Sequence, residues 1–107
     1  MYSHERAALE NIAKELRNEL GDVIAGVYAF GSRVRGDHTA WSDFDVLIVV
    51  KYKDTDIEKK IVDIIVHIES EQGLSFSPVI KTSDSFDKEK RYNSPFYQNI
   101  IKEAIPL

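Results

Sequence analysis

The chain has 107 residues, 43% apolar and 30% charged, an ordinary globular composition that excludes a disordered chain and fits one domain over residues 1–107. Cysteine is absent, which excludes disulfide frameworks, Cys-ligated zinc, iron–sulfur clusters and thiol catalysis. A net charge of −4 argues against a broad basic face for sequence-independent nucleic-acid binding, and the continuous apolar run Val46–Val50 is far too short to cross a bilayer. The opening Met1-Tyr-Ser-His-Glu-Arg runs straight into polar helical sequence with no leader pattern, so the expectation is a cytoplasmic protein.

Ser3 to Leu20 reads as a helix that Ser3 can cap, with Leu9, Ile12, Ala13, Leu16 and Leu20 on one face and Gly21 as its stop. Val23–Phe30 is short, apolar and β-rich, a buried strand. Gly31–Trp41 is a loop with room for a helical turn. Asp43–Tyr52 is a second strand, and its unbroken apolar run is the pattern of a strand covered on both faces. Thr55-Asp-Ile-Glu58 has the form of a capping box and opens a helix carrying Ile57, Ile61, Ile64, Ile65 and Ile68 inward to a stop near Gly73. Leu74–Lys81 is a third strand, and Pro78 puts it at a sheet edge or a bulge. Ser83 can cap a short helix to Lys90, and Ser94 with Pro95 at the first helical position starts the last helix, which runs through Ala104. Strands alternating with helices in this way give a small α/β (α+β) domain with one sheet and helices packed on it.

The chemistry lies in Gly31-Ser-Arg-Val-Arg-Gly-Asp-His-Thr-Ala-Trp-Ser-Asp-Phe-Asp45. Gly31-Ser32 directly follows a buried strand. A glycine there permits a sharp bend and close approach of a ligand to the main chain. The free N–H groups of a following turn, the Ser32 hydroxyl and the guanidinium groups of Arg33 and Arg35 suit phosphate oxygens. The same residues also make a plain turn with a solvated Arg-Gly loop. Asp43 and Asp45, two apart at a strand start, share a face with Cα atoms about 6.5–7 Å apart. Carboxylates brought to about 4 Å repel by about 4 kcal/mol at an effective dielectric near 20, so they need a proton or a divalent cation between them unless both stay in solvent. Mg²⁺ prefers one or two carboxylates together with water and phosphate oxygens. A phosphate loop joined to a metal pair is the equipment of nucleotidyl transfer, and here ten residues separate Gly-Ser from Asp-x-Asp.

The seventeen residues from Phe30-Gly-Ser-Arg-Val-Arg-Gly36 to Ser42-Asp-Phe-Asp-Val46 resemble the signature of the DNA polymerase beta-like nucleotidyltransferase superfamily, and more closely its minimal nucleotidyltransferases (MNT proteins). The tail Ser94-Pro-Phe-Tyr-Gln-Asn-Ile-Ile-Lys-Glu103 is also similar to the end of single-domain members. The resemblance implies a nucleotidyltransferase fold with a small mixed sheet. It implies Gly31 and Ser32 on the β- and γ-phosphates of ATP, Arg33, Arg35 and Ser42 in the nucleotide-binding set, and Asp43 and Asp45 as Mg²⁺ ligands and catalytic acids. It also implies a HEPN-domain ribonuclease toxin as partner, with the MNT protein as antitoxin adding AMP to it; a homo-oligomer is a further expectation. The family usually carries a third acid on the next strand of the site, whereas Leu74–Lys81 has none. Ser75, Ser77 and Val79 share one face there, with Ser75 or Ser77 in the place of the acid. That departure makes a module that neutralises its partner by binding the second reading. Transfer to a small molecule of aminoglycoside type is the third.

Other features read as structure. His4, His38 and His67 lack zinc spacing. Trp41 reads as an anchor of the loop to the core, and Lys51, Lys53, Lys59 and Lys60, interleaved with Asp54, Asp56 and Glu58, as a solvated surface. Tyr92, Phe96 and Tyr97 read as core or as a partner surface.

Overall fold

The computed structural model describes residues 3–35 and 43–107, with the backbone alone at Ser32 and Arg35. The long helix α1 (Ser3–Leu20) ends at a 3₁₀ turn over Gly21–Val23, which leads into strand β1 (Ile24–Phe30). A single helical turn, α2 (Ser32–Arg35), follows, then β2 (Phe44–Val50), α3 (Thr55–Gln72) and β3 (Phe76–Thr82). The chain closes with α4 (Ser83–Arg91), α5 (Pro95–Glu103) and β4 (Ile105–Pro106).

The sheet is mixed, in the order β3-β2-β1-β4. β1 runs antiparallel to β2 and to β4, and β2 runs parallel to β3, with α3 as the crossover between them. β3 is an edge strand, which is where its Pro78 costs the ladder least. β4 is a short strand absent from the sequence reading. Two residues carry no period, and only the approach of β1 gives them partners: Tyr28 faces Pro106, and Leu107 N–H donates to the Val27 carbonyl at 2.9 Å.

Two caps sit one residue earlier than the sequence suggests. Asp54, not Thr55, caps α3, its carboxylate accepting from Ile57 N–H at 2.8 Å, because Thr55 is already helical. Thr82, not Ser83, caps α4 through Ser85 N–H. α1 likewise already includes Ser3. Ser94 caps α5 with Pro95 in its first turn, and Gly73 ends α3 at φ 67°, both as expected.

The two faces of the sheet are covered unequally. α1 and α3 bury Leu9, Ile12, Leu16, Ile61, Ile65 and Ile68 against Val27, Ala29, Val46, Ile48 and Val50. The opposite face carries a smaller cluster, Leu47, Val49 and Ile100, finished by the half-buried Tyr28, Phe30, Val79, Phe86 and Phe96 under α4 and α5. Phe96 and Tyr97 thus pack, whereas Tyr92 is 81% exposed. His67 stands on the solvent face of α3 and pairs with Glu71. Lys51, Lys53, Lys59 and Lys60 are exposed. Among the described residues no helix is long and apolar enough to cross a membrane.

Candidate functional site

The site forms where β1 ends and β2 begins. Phe30 is the register partner of Asp45, so the bend that follows β1 arrives beside the acidic start of β2. Gly31 makes that bend at φ +91°, a conformation that side chains resist, and its carbonyl accepts from Val34 N–H at 3.2 Å to close α2. A Cβ built on Gly31 would lie 2.1 Å from Asp45 Oδ2. The glycine is therefore required twice, by its torsion and by the carboxylate packed against its main chain.

Asp43 lies one residue ahead of β2 and is exposed, and Asp45 is half-buried within the strand. The backbone between them is fixed: Phe44 N–H donates to the Ser75 carbonyl at 2.9 Å, the first rung toward β3. β3 is held in turn by Glu69 on α3, whose carboxylate accepts from Phe76 N–H at 2.8 Å. In the parallel ladder Asp45 faces Ser77. Side chains alternate along a strand, so Asp45 and Ser77 share the sheet face of Leu47 and Val79, and Phe44 and Phe76 point to the other. Of the two serines named from sequence, Ser77 is the one level with Asp45.

The donor set suits a hard cation. It consists of carboxylate oxygens at a solvent-facing strand start, with a bare backbone beside them where phosphate oxygens could approach. Among the described residues no group of three or more His, Cys, Asp or Glu is assembled.

The candidate residues separate in space. Gly31 and Asp45 come together at one end of the sheet, Asp43 lies one residue ahead of β2, and the backbone of Ser32 and Arg35 lies in the turn after Gly31. Ser42, His38 and Trp41 fall outside the described residues. Arg33 turns inward. It is 8% exposed, its Nη2 meets Glu5 Oε2 at 2.6 Å, and its guanidinium lies 4.4 Å from the centre of the Phe44 ring. The sequence reading missed Glu5, although a signal was there. Glu5 precedes Leu9, Ile12 and Leu16 at helical spacing, so a carboxylate occupies the apolar stripe of α1 and calls for a buried counter-charge.

Known proteins resemble this chain in sequence and in fold. A Methanocaldococcus jannaschii protein provisionally named a protein adenylyltransferase is 27% identical over 101 residues, 94% of this chain and 95% of its own. The structure of a protein provisionally named a minimal nucleotidyltransferase superposes with a TM-score of 0.62 at 24% identity, over 96% of this chain and 92% of that one. A chain in the complex of tri-AMPylated Shewanella oneidensis HEPN toxin with MNT antitoxin superposes with a TM-score of 0.54 at 13% identity, over 95% of this chain and 70% of that one. The fold is that of the nucleotidyltransferases. Residues 9–107, from the apolar stripe of α1 to the last strand, match the nucleotidyltransferase domain, and the chain belongs to that family.

Proposed function

We propose that this nucleotidyltransferase moves AMP from ATP to a hydroxyl on a protein acceptor, with Asp43 and Asp45 holding Mg²⁺ and the Gly31-Ser32 bend receiving the phosphate tail. The observation that carries the reading is the contact between Gly31 and Asp45, which puts a bare main-chain bend against a carboxylate. Bound Mg²⁺ supplies charge neutralisation at the phosphates. The acceptor hydroxyl gives up its proton to solvent as its oxygen forms a bond to the α-phosphorus, the bond from that phosphorus to the bridging oxygen breaks, and pyrophosphate leaves with the electron pair. Asp43 is exposed ahead of the strand, and Asp45 is held within it. Arg35 and Ser42 remain assigned to the nucleotide by their places in the motif. A protein acceptor is favoured by the name of the M. jannaschii relative, and a HEPN-type toxin as that acceptor by the complex that shares the fold. In that setting the chain is an antitoxin.

The test is incubation with labelled ATP, Mg²⁺ and the product of the neighbouring gene. Label on that partner, lost in the Asp43→Asn, Asp45→Asn double variant, supports the reading. Equal labelling by wild type and double variant sinks it.

Ser77 favours a second reading. The position level with Asp45 on β3 carries a hydroxyl, and no residue of β3 is acidic. A serine is a weak divalent ligand and a weak base, so the chain is either completed by its partner or neutralises that partner by contact alone. Suppression of toxicity by the double Asn variant decides for contact.

A further inference from the structure

We infer that Arg33 is a positioning residue. Together with Glu5 it clamps the Gly31–Arg35 turn onto the strand that carries the acids, and it does not contact phosphate. The inference about the clamp stands on geometry alone; its consequence for nucleotide binding rests on the function proposed above.

Three segments distant in sequence meet at the Arg33 guanidinium. Glu5, on the first turns of α1, is 5% exposed and lies 2.6 Å from Nη2, a short charge-assisted contact. Phe44, the residue between Asp43 and Asp45, offers its ring face at 4.4 Å and is itself packed on Phe76 with ring centres 6.0 Å apart. Two residues before Arg33, Gly31 lies against Asp45. Phe44 and Asp45 point to opposite faces of the sheet, so the turn straddles β2: its glycine touches the acid on one face and its arginine touches the ring on the other. A guanidinium stays charged at any relevant pH, and burying it without a carboxylate is costly. The charge on Glu5 therefore selects the one rotation of the turn that brings Arg33 inward. An arginine meant for phosphate would gain nothing from a carboxylate at 2.6 Å, which competes for the same donors.

The experiment pairs amide hydrogen exchange with calorimetric titration of magnesium–ATP. The variants are Arg33→Met with Glu5→Leu, which replaces the buried pair by apolar groups, Arg33→Met alone, and Arg33→Lys. In the paired variant, exchange at Val34, whose N–H is bonded to the Gly31 carbonyl, should rise at least about tenfold, while Val46 and Ile48 in the sheet stay within about threefold of wild type. The single Arg33→Met variant, which takes the guanidinium away from the buried Glu5 carboxylate, should lose global stability that the paired variant regains. Magnesium–ATP affinity should fall in the paired variant and return only partly with lysine, which keeps the charge but lacks the flat surface for Phe44. Unchanged exchange in the turn of the paired variant overturns the clamp. So does full recovery of affinity with Arg33→Lys, which marks a phosphate ligand. If wild type binds no magnesium–ATP, the proposed function falls, and the exchange data still decide the clamp.

Discussion

The two faces of β2 are made from alternate residues of one seven-residue strand, yet they do different work. Phe44, Val46, Ile48 and Val50 point into the larger core under α1 and α3 and are sealed from water. Asp45, Leu47 and Val49 point to the thinner side under α4 and α5, where the cover is mostly half-buried aromatic side chains and the strand start is left open. The large dry face holds the sheet in place, which lets the other face carry acids at its end without a full cover. The strand period of two thus separates the buried core face from the face that carries the proposed site.

That separation predicts opposite signatures for substitutions on the two faces. Asp43→Asn with Asp45→Asn should lower nucleotidyl transfer at least about 100-fold, since each tenfold is about 1.4 kcal/mol of barrier. The same variant should keep Tm within about 2 °C of wild type in metal-free buffer and lose the upward shift that magnesium–ATP gives wild type. A large fall in metal-free Tm would show that the acids are structural. Ile61→Ala, at the centre of the dry face, should destabilise by about 2–5 kcal/mol in urea unfolding, and activity per folded molecule should hold. Ile100→Ala on the thin face should cost less, about 1–3 kcal/mol, because its neighbours can collapse toward an open groove; an equal cost would contradict the asymmetry. Gly31→Ala joins the two effects. The positive φ and the clash with Asp45 should cost about 1–3 kcal/mol of stability and abolish the magnesium–ATP signal in calorimetry. Smallest of all, Tyr92→Ser should leave both stability and transfer within about 0.5 kcal/mol of wild type, unless a partner uses that surface.

Much of this was legible in the residues. The apolar run Val46–Val50 announced a strand covered on both faces, and the isoleucines of α3 lie inward at helical spacing. Pro78 marked β3 as an edge strand or a bulged one, and β3 stands at the edge; room for a helical turn after Gly31 is filled by α2. The signature residues also placed the chain among nucleotidyltransferases, and the domain match agrees. Less was legible where the partner lies far along the chain. Arg33 reads like its neighbour Arg35 in a basic loop, and only the proximity of α1, 28 residues away in sequence, turns it inward toward Glu5. β4 carries no pattern of its own.

By itself the sequence determined the elements other than β4, the fold family and the pairing of a glycine bend with two acids, because local torsions and hydrophobic periodicity are encoded within a few residues of one another. Tertiary structure decided which charges are buried and what stands beside them. It set Ser77 level with Asp45, pressed Gly31 against the same carboxylate and sent Arg33 to Glu5, because burial is settled by what the fold brings alongside a side chain, and a charge taken out of water must be matched there.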